Sequence, residues 1–399
     1  MDLTYDAEHE EFRAEVRRFL ADHAGTYPKP FGVNRPTEEA KAWQAKLIAH
    51  GYAARTIPAA YGGYGAEPDI LKSYIIAEEF ARAKAPWGFV NQGISMFVPT
   101  LLELGTEEQK KKWIAPTLRG EIIWCQGYSE PDAGSDLASL KTSAVEDGDD
   151  FVINGQKIWT TTAHAADMMF CLVRTEPHAF NKYLGISYLI FSMKTPGIEV
   201  RPLKTMTGAA EFNEVFLTDV RVPKKQIVGE RGQGWAVSNA TLKHERGMLG
   251  DPNQTMARMN SILELMKTET LDGAHIIDLP VFRDRAMKLQ GQVLAMQYHG
   301  MRLLTASAHG KDSGLVRMIV KLRATEINYR LSELAVDALG EFGPLSAESP
   351  LTRSHGVWQK RNLFDIGMII GGGTAQIQKN IIAERALGLP REPKAKSAK

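Results

Sequence analysis

Apolar residues recur at helical spacing through the first third of the chain. Tyr5, Phe12, Val16 and Phe19, set between Glu and Arg residues, predict a first helix, and Trp43, Leu47 and Ile48 a second. Ile70 to Phe80 reads as a third and Thr106 to Leu118 as a fourth, with Thr106 and Gln109 placed as a capping box. Between them Thr56 to Pro68, with Gly62, Gly63 and Gly65, reads as a loop. Near Glu121 the pattern changes to short β-rich runs: Phe151 to Ile153, Ile158 with Trp159, Met168 to Val173, Ile186 to Phe191, and Val215 to Val222. Asp147-Gly148 and Asn154-Gly155 are hairpin-type turn signals beside them, and Pro196-Gly197 and Pro223 punctuate the rest. Helical period returns over Trp235 to Met266, Val281 to Ala308, Val316 to Leu339 and Thr374 to Leu387. The order helices, strands, helices excludes a doubly wound α/β fold, in which strand and helix would alternate. It predicts a mostly α chain with a central β unit: helical residues 1–121, a β unit over 122–228, a helical bundle over 229–390, and a basic, disordered tail at 391–399.

Composition changes this picture little. The chain has 399 residues and a formal net charge of +1, so no global basic field recommends a nucleic-acid partner. The two cysteines, Cys125 and Cys171, sit in no metal-type spacing, which fits a reducing compartment. The N-terminal residues lack the apolar run of a signal peptide, and no stretch is long and apolar enough for a membrane span. A cytoplasmic protein without membrane attachment is the expectation.

No HExxH, Walker A loop or GxSxG elbow occurs. Gly232-Gln233-Gly234 lacks the third glycine and the preceding strand of a dinucleotide loop, and reads as a helix start. The segment Gln126 to Leu137 is dense in hydroxyls and glycine; by itself it reads equally as a polar loop fixed by Pro131 or as a ligand loop. Downstream, Asn154-Gly155-Gln156-Lys157-Ile158-Trp159-Thr160-Thr161 ends in an aromatic and two hydroxyls. A planar redox ring needs both a flat aromatic wall and donors along its polar edge, while the ring itself carries the redox chemistry.

These two segments resemble the flavin-binding signatures of the acyl-CoA dehydrogenase family, and Gly371-Gly372-Gly373-Thr374-Ala375-Gln376-Ile377-Gln378 resembles the family's closing motif. Trp124 to Pro131 and Ser135 to Thr142 look most like the large-subunit type that includes pimeloyl-CoA and steroid side-chain dehydrogenases. The resemblance implies an N-terminal helical domain, a small β-barrel domain and a C-terminal four-helix bundle. It also implies FAD-dependent α,β-dehydrogenation of an acyl-CoA, with electron-transfer flavoprotein or a similar acceptor, in a homo-oligomer or a heteromer with a homologous subunit. Carried over by position, Gln126, Tyr128, Ser129, Ser135, Trp159, Thr161, Thr374 and Gln376 would bind the cofactor. Ser135, Arg246 and Gly373 would face the substrate. Thr374 reads as an ordinary helix N-cap as well.

The reaction needs a carboxylate aimed at the α-proton. Many relatives carry it just before the Gly-Thr of the closing motif, where this chain has Gly372. The family's second location, on the first long helix of the C-terminal part, holds His244-Glu245-Arg246, which makes Glu245 the expected base. Its helical neighbours Thr241, Leu242, Met248 and Leu249 carry no cation, although Lys243 and Arg246 in sequence leave a structural ion pair open. The stretch Leu265 to Arg285 lacks the Arg-x-x-Phe-Gly run with which many relatives reach a neighbouring subunit's flavin, and Asp337 stands where they often carry glutamine. A catalytically silent partner subunit and a flavin monooxygenase or oxidase on the same fold are the alternatives.

Overall fold

In a computed structural model, residues 5–29, 35–177, 179–248, 252–308 and 314–391 are described. Chain contacts divide it into two compact units, Met1–Glu245 and Arg246–Lys399. The basic tail expected at 391–399 lies outside the described residues after Arg391.

The first unit opens with α1 (Ala7–Asp22), α2 (Glu38–Ala49) and α3 (Ile70–Ala83), capped by Asp6, Thr37 and Asp69. Val16, Phe19, Trp43, Leu47, Ile75 and Phe80 form their common core. Beneath it Glu79, only 2% exposed, takes hydrogen bonds from Arg13 (2.8 Å) and Arg17 (2.9 Å). Two short helices follow, α4 (Val98–Leu104) and α5 (Glu107–Leu118). The Thr106–Gln109 capping box is present with both of its hydrogen bonds. Helix α4, with Pro99 at its first turn, is too short for a full periodic signature and is invisible in the sequence pattern.

The β unit is a seven-stranded curled sheet: β1 (Trp124–Gly127), β2 (Ser143–Asp147), β3 (Asp150–Lys157), β4 (Met168–Arg174), β5 (Ile186–Ser192), β6 (Ile198–Leu203) and β7 (Phe212–Pro223). Its order is β1-β4-β2-β3-β7-β6, with β5 off this path and paired to β4. Both faces of β4 and β5 are buried. Met169, Cys171, Val173, Leu189 and Phe191 pack inside the curl with Phe151, Ile153, Val215 and Val220. Phe170, Leu172, Tyr188 and Ile190 pack outward with Phe97, just before α4, and with Leu101 of α4 and Ile114 of α5. That two-sided burial is why these strands read as continuous apolar runs instead of alternating ones.

Asp147-Gly148 makes the expected β2–β3 hairpin, but Asn154-Gly155 is not a turn. It lies within β3, opposite a bulge that leaves Asp219 of β7 at φ 50°. Asn154 accepts from the Asp219 amide (2.9 Å) and donates to its carboxylate (3.1 Å), while Gly155 lets Thr142 approach. The dipeptide is a turn-former used to accommodate a bulge and a close strand crossing.

Helix α6 (Gly234–Met248) carries the chain into the second unit. The single periodic run expected over Trp235 to Met266 is two helices, because Pro252 begins a new one, α7 (Pro252–Thr268). Then come α8 (Pro280–Ala308), α9 (Gly314–Ala338), α10 (Val357–Ile370) and α11 (Ala375–Ile381). Met259, Ile262, Val293, Ile327, Leu331, Leu334 and Trp358 form the bundle core. Helix α9 is buried on several sides, with Lys321 and Leu334 alike almost fully covered. Among the described residues no helix is long and apolar enough to cross a membrane.

Candidate active site

Strand β1 runs parallel to β4, and Gly127 permits the packing: a Cβ there would stand 2.6 Å from the Met169 sulfur. The chain then leaves the sheet. Tyr128 is buried, Gln126 and Ser129 are half-buried, and Ser135 is exposed on the following loop. Strand β3 ends at Lys157, not at Trp159, and the next residue crosses back to the first segment: the Ile158 amide donates to the Ser129 carbonyl at 2.9 Å. The two motifs, separate in sequence, thus meet at one hydrogen bond.

The turn after that bond is held in an uncommon conformation. Trp159 and Thr162 both have φ 59°, a left-handed state that costs a non-glycine residue of order 1–2 kcal/mol. Neighbouring backbone fixes it: Thr160 exchanges hydrogen bonds with Asn213, from its amide to the Asn213 carbonyl (3.0 Å) and from Asn213 Nδ2 to its carbonyl (2.9 Å). The Thr162 amide donates to the Glu211 carbonyl at 2.8 Å. The consequence is that Thr160 turns inward, its buried hydroxyl without a partner, while Trp159 stays 57% exposed and meets Phe212 edge-on. A large aromatic held exposed against backbone strain is the wall a planar ligand needs. Among the described residues, the side chains of Gln126, Ser129, Ser135 and Thr161 make no hydrogen bond within the protein. An exposed tryptophan and free polar side chains on two joined segments fit a flavin ring with its polar edge.

Two charged residues buried beneath this surface were not singled out by the motifs. Lys157 is fully buried and donates to Glu130 (2.8 Å) and to the Tyr128 carbonyl (3.2 Å). Glu130 also accepts from the amides of Lys141 (2.6 Å) and Thr142 (2.9 Å). Burial pushes the Glu130 carboxyl up, but Lys157 and these donors outweigh it and hold it below the usual range. The available signal was register: Lys157 shares its face of β3 with Phe151 and Ile153, so a charge falls on the buried side.

In the second unit the glycine run forms a loop between α10 and α11, with Gly372 at φ 64° and Gly373 at φ 86°. Lys321 of α9, 2% exposed, donates to the carbonyls of Gly373 (2.7 Å) and Ile369 (3.2 Å). Gln378 donates to the Gly372 carbonyl at 3.3 Å. Thr374 is the N-cap of α11, its hydroxyl accepting from the Ile377 amide. Gln376 is exposed; the buried glutamine of the motif is Gln378. Asp337, in the place often taken by glutamine, is paired with Arg285 at 2.7 Å.

Glu245 and Arg246 stand in the last turns of α6, but their side chains lie outside the described residues. Four residues before Glu245, Thr241 is fully buried and shares a hydrogen bond with Thr100 of α4 at 3.0 Å. His244 pairs with Glu103 at 2.9 Å.

Three family models cover nearly the whole chain: the acyl-CoA dehydrogenase N-terminal domain at 6–121, the middle domain at 125–220 and the C-terminal domain at 232–387. Acyl-CoA dehydrogenase IpdE1 of Mycobacterium tuberculosis is 38% identical over 398 residues, covering 96% of this chain and 99% of that protein. Among solved structures, the Tcur3481-Tcur3483 steroid ACAD matches with a TM-score of 0.81 at 30% identity, covering 98% of this chain and 100% of that one. The ChsE4-ChsE5 complex from Mycobacterium tuberculosis matches with a TM-score of 0.80 at 31% identity, over 98% and 100%.

Proposed function

The chain belongs to the acyl-CoA dehydrogenase family, and from that premise we propose that it oxidises an acyl-CoA thioester to the 2-enoyl-CoA with FAD bound noncovalently. Bound FAD would supply the two-electron acceptor for the β-hydride. Trp159 covers the ring, Ser129 and Thr161 donate to its polar edge, and Gln126 and Tyr128 complete that side. Thr374 and Gln376 hold the dinucleotide portion. Ser135, Gly373 and Arg246 contact the acyl-CoA.

Glu245 takes the α-proton. Gly372 leaves the family's commoner base position without a side chain, and a carboxylate must come from elsewhere for proton removal. The observation that carries the flavin reading is the Ser129–Ile158 hydrogen bond, which joins free hydroxyls to the exposed face of Trp159. Likeness to a steroid ACAD supports a bulky, steroid-derived acyl group, and likeness to the ChsE4-ChsE5 complex supports a homologous chain as partner.

The test is anaerobic mixing of the flavin-loaded protein with a panel of acyl-CoAs, steroid side-chain thioesters included, followed by flavin bleaching. Bleaching with one member is the expected result. The empty position at Gly372 favours one second reading, a silent subunit. A protein that binds FAD and bleaches with none of the panel, alone or with a homologous chain, would establish it.

A further inference from the structure

Among the charged side chains not given a role above, the Lys157–Glu130 pair is set apart by complete burial and by what it joins. Lys157 is 0% and Glu130 7% exposed as side chains. Removing two ions from water costs several kcal/mol for each, and two well-packed apolar residues often stabilise a fold as well or better. Stability alone therefore gives no reason for a lysine here.

The pair's bonds converge on three segments. Lys157 ends β3, directly before the Ile158–Thr162 turn. Glu130 lies in the loop after β1 and is closed on itself by reciprocal backbone bonds with Ala133, both 3.0 Å. The Lys141 and Thr142 amides bring in the chain entering β2.

Peptide geometry carries the consequence outward. In a trans peptide the carbonyl of one residue and the amide of the next point in opposite directions. Lys157 holds the Tyr128 carbonyl inward, so the Ser129 N–H is turned to the other side. The Ser129 carbonyl receives Ile158, which fixes where Trp159 begins. The Lys157–Tyr128 bond thus sets the peptide that leads into Ser129, and the Glu130 bonds tie that loop to the chain entering β2.

We propose that Lys157 and Glu130 are positioning residues for the flavin: their ion pair locks the 128–135 loop and the 158–162 turn in the one relative placement that lets both address the same ring. This rests on the FAD reading above. Without the pair the two segments remain in the fold but meet the ring out of register. Flavin affinity and the environment of the bound ring should then change more than the stability of the apoprotein does.

The test uses the full chain in three forms: wild type, the double variant Lys157→Met with Glu130→Leu, and Glu130→Gln. The double variant removes both charges at similar volume and leaves neither unpaired. Glu130→Gln keeps the shape and an acceptor for Thr142 while removing the carboxylate. Three quantities are read: apoprotein melting temperature, the dissociation constant for added FAD, and the visible circular dichroism of bound flavin.

In both variants the FAD dissociation constant should rise about tenfold or more, the equivalent of one well-aligned hydrogen bond lost. The visible dichroism of the bound fraction should change, with the apoprotein still melting cooperatively. Wild-type affinity with unchanged dichroism in a folded variant overturns the proposal while leaving the FAD reading intact. Should the double variant not fold, the same outcomes read on Glu130→Gln decide it. Failure of the wild-type protein to bind FAD under any condition overturns the FAD reading, and the pair's role with it.

Discussion

Gly155→Ala should loosen the crossing of β3 with the chain entering β2 at Thr142. A Cβ at Gly155 would stand 2.5 Å from the Thr142 hydroxyl oxygen, 2.7 Å from its Cα and 2.8 Å from its Cβ. Two of those atoms belong to the stem of Thr142 and cannot rotate away, so restoring ordinary contact means parting the strands by roughly 0.7–0.9 Å. Thr142 is tied on both sides, its amide to Glu130 at 2.9 Å and its carbonyl to the Arg174 amide at 2.7 Å. Overpacking costs about 1–3 kcal/mol, and a weakened bond to a charged group adds about 1–2 kcal/mol. A local loss of roughly 2–5 kcal/mol corresponds to a fall in amide protection on the order of 30- to 4,000-fold. Hydrogen exchange followed by mass spectrometry, on peptides spanning 140–158, reads this without assuming that the whole chain unfolds in one step. Gly134→Ala is the control, since a Cβ there meets nothing within 4 Å. Equal protection in Gly155→Ala and the control would refute the steric argument.

Glu245→Gln should slow α,β-dehydrogenation by at least ~100-fold, the low end of what a positioned general base supplies, while FAD and acyl-CoA still bind; bleaching at the wild-type rate would remove Glu245 as base. Gly372→Glu placed in that variant should restore little activity, because φ 64° at Gly372 costs a side-chain residue of order 1–2 kcal/mol; single-turnover bleaching is the measurement. Trp159→Ala should raise the FAD dissociation constant about tenfold or more through the lost aromatic face, read by fluorescence titration. The N-terminal helices should be acid-labile through Glu79: burial raises its carboxyl, but the bonds from Arg17 and Arg13 win and leave it below the ordinary value. A carboxyl depressed in the folded state contributes stability above the unfolded value of about 4.3, and that contribution disappears as the pH falls through the folded value. Glu79→Gln should flatten the decline of melting temperature below that pH; an unchanged acid limb would count against the role of Glu79.

Much of the architecture was legible in the residues themselves, because burial on one face writes a period into the sequence. Helices α1, α2, α3 and α5 follow that period, β4 and β5 show instead as continuous apolar runs because both their faces are buried, and the Thr106 capping box is a local device read from two residues. The family resemblance was equally local, three short motifs in order. The tertiary structure decided what depends on partners distant in sequence. Asn154-Gly155 carries the chemistry of a turn, yet it serves a bulge because Asp219 and Thr142 lie across from it. Trp159 leaves the strand because Asn213 and Glu211 hold its turn in a left-handed conformation. Lys157, an unremarked lysine in the chain, is seen as half of a buried ion pair only once folding sets it against Glu130, 27 residues away. Periodicity reports which side of an element is covered; it says nothing of what covers it, and a buried charge acquires meaning only from the group placed opposite.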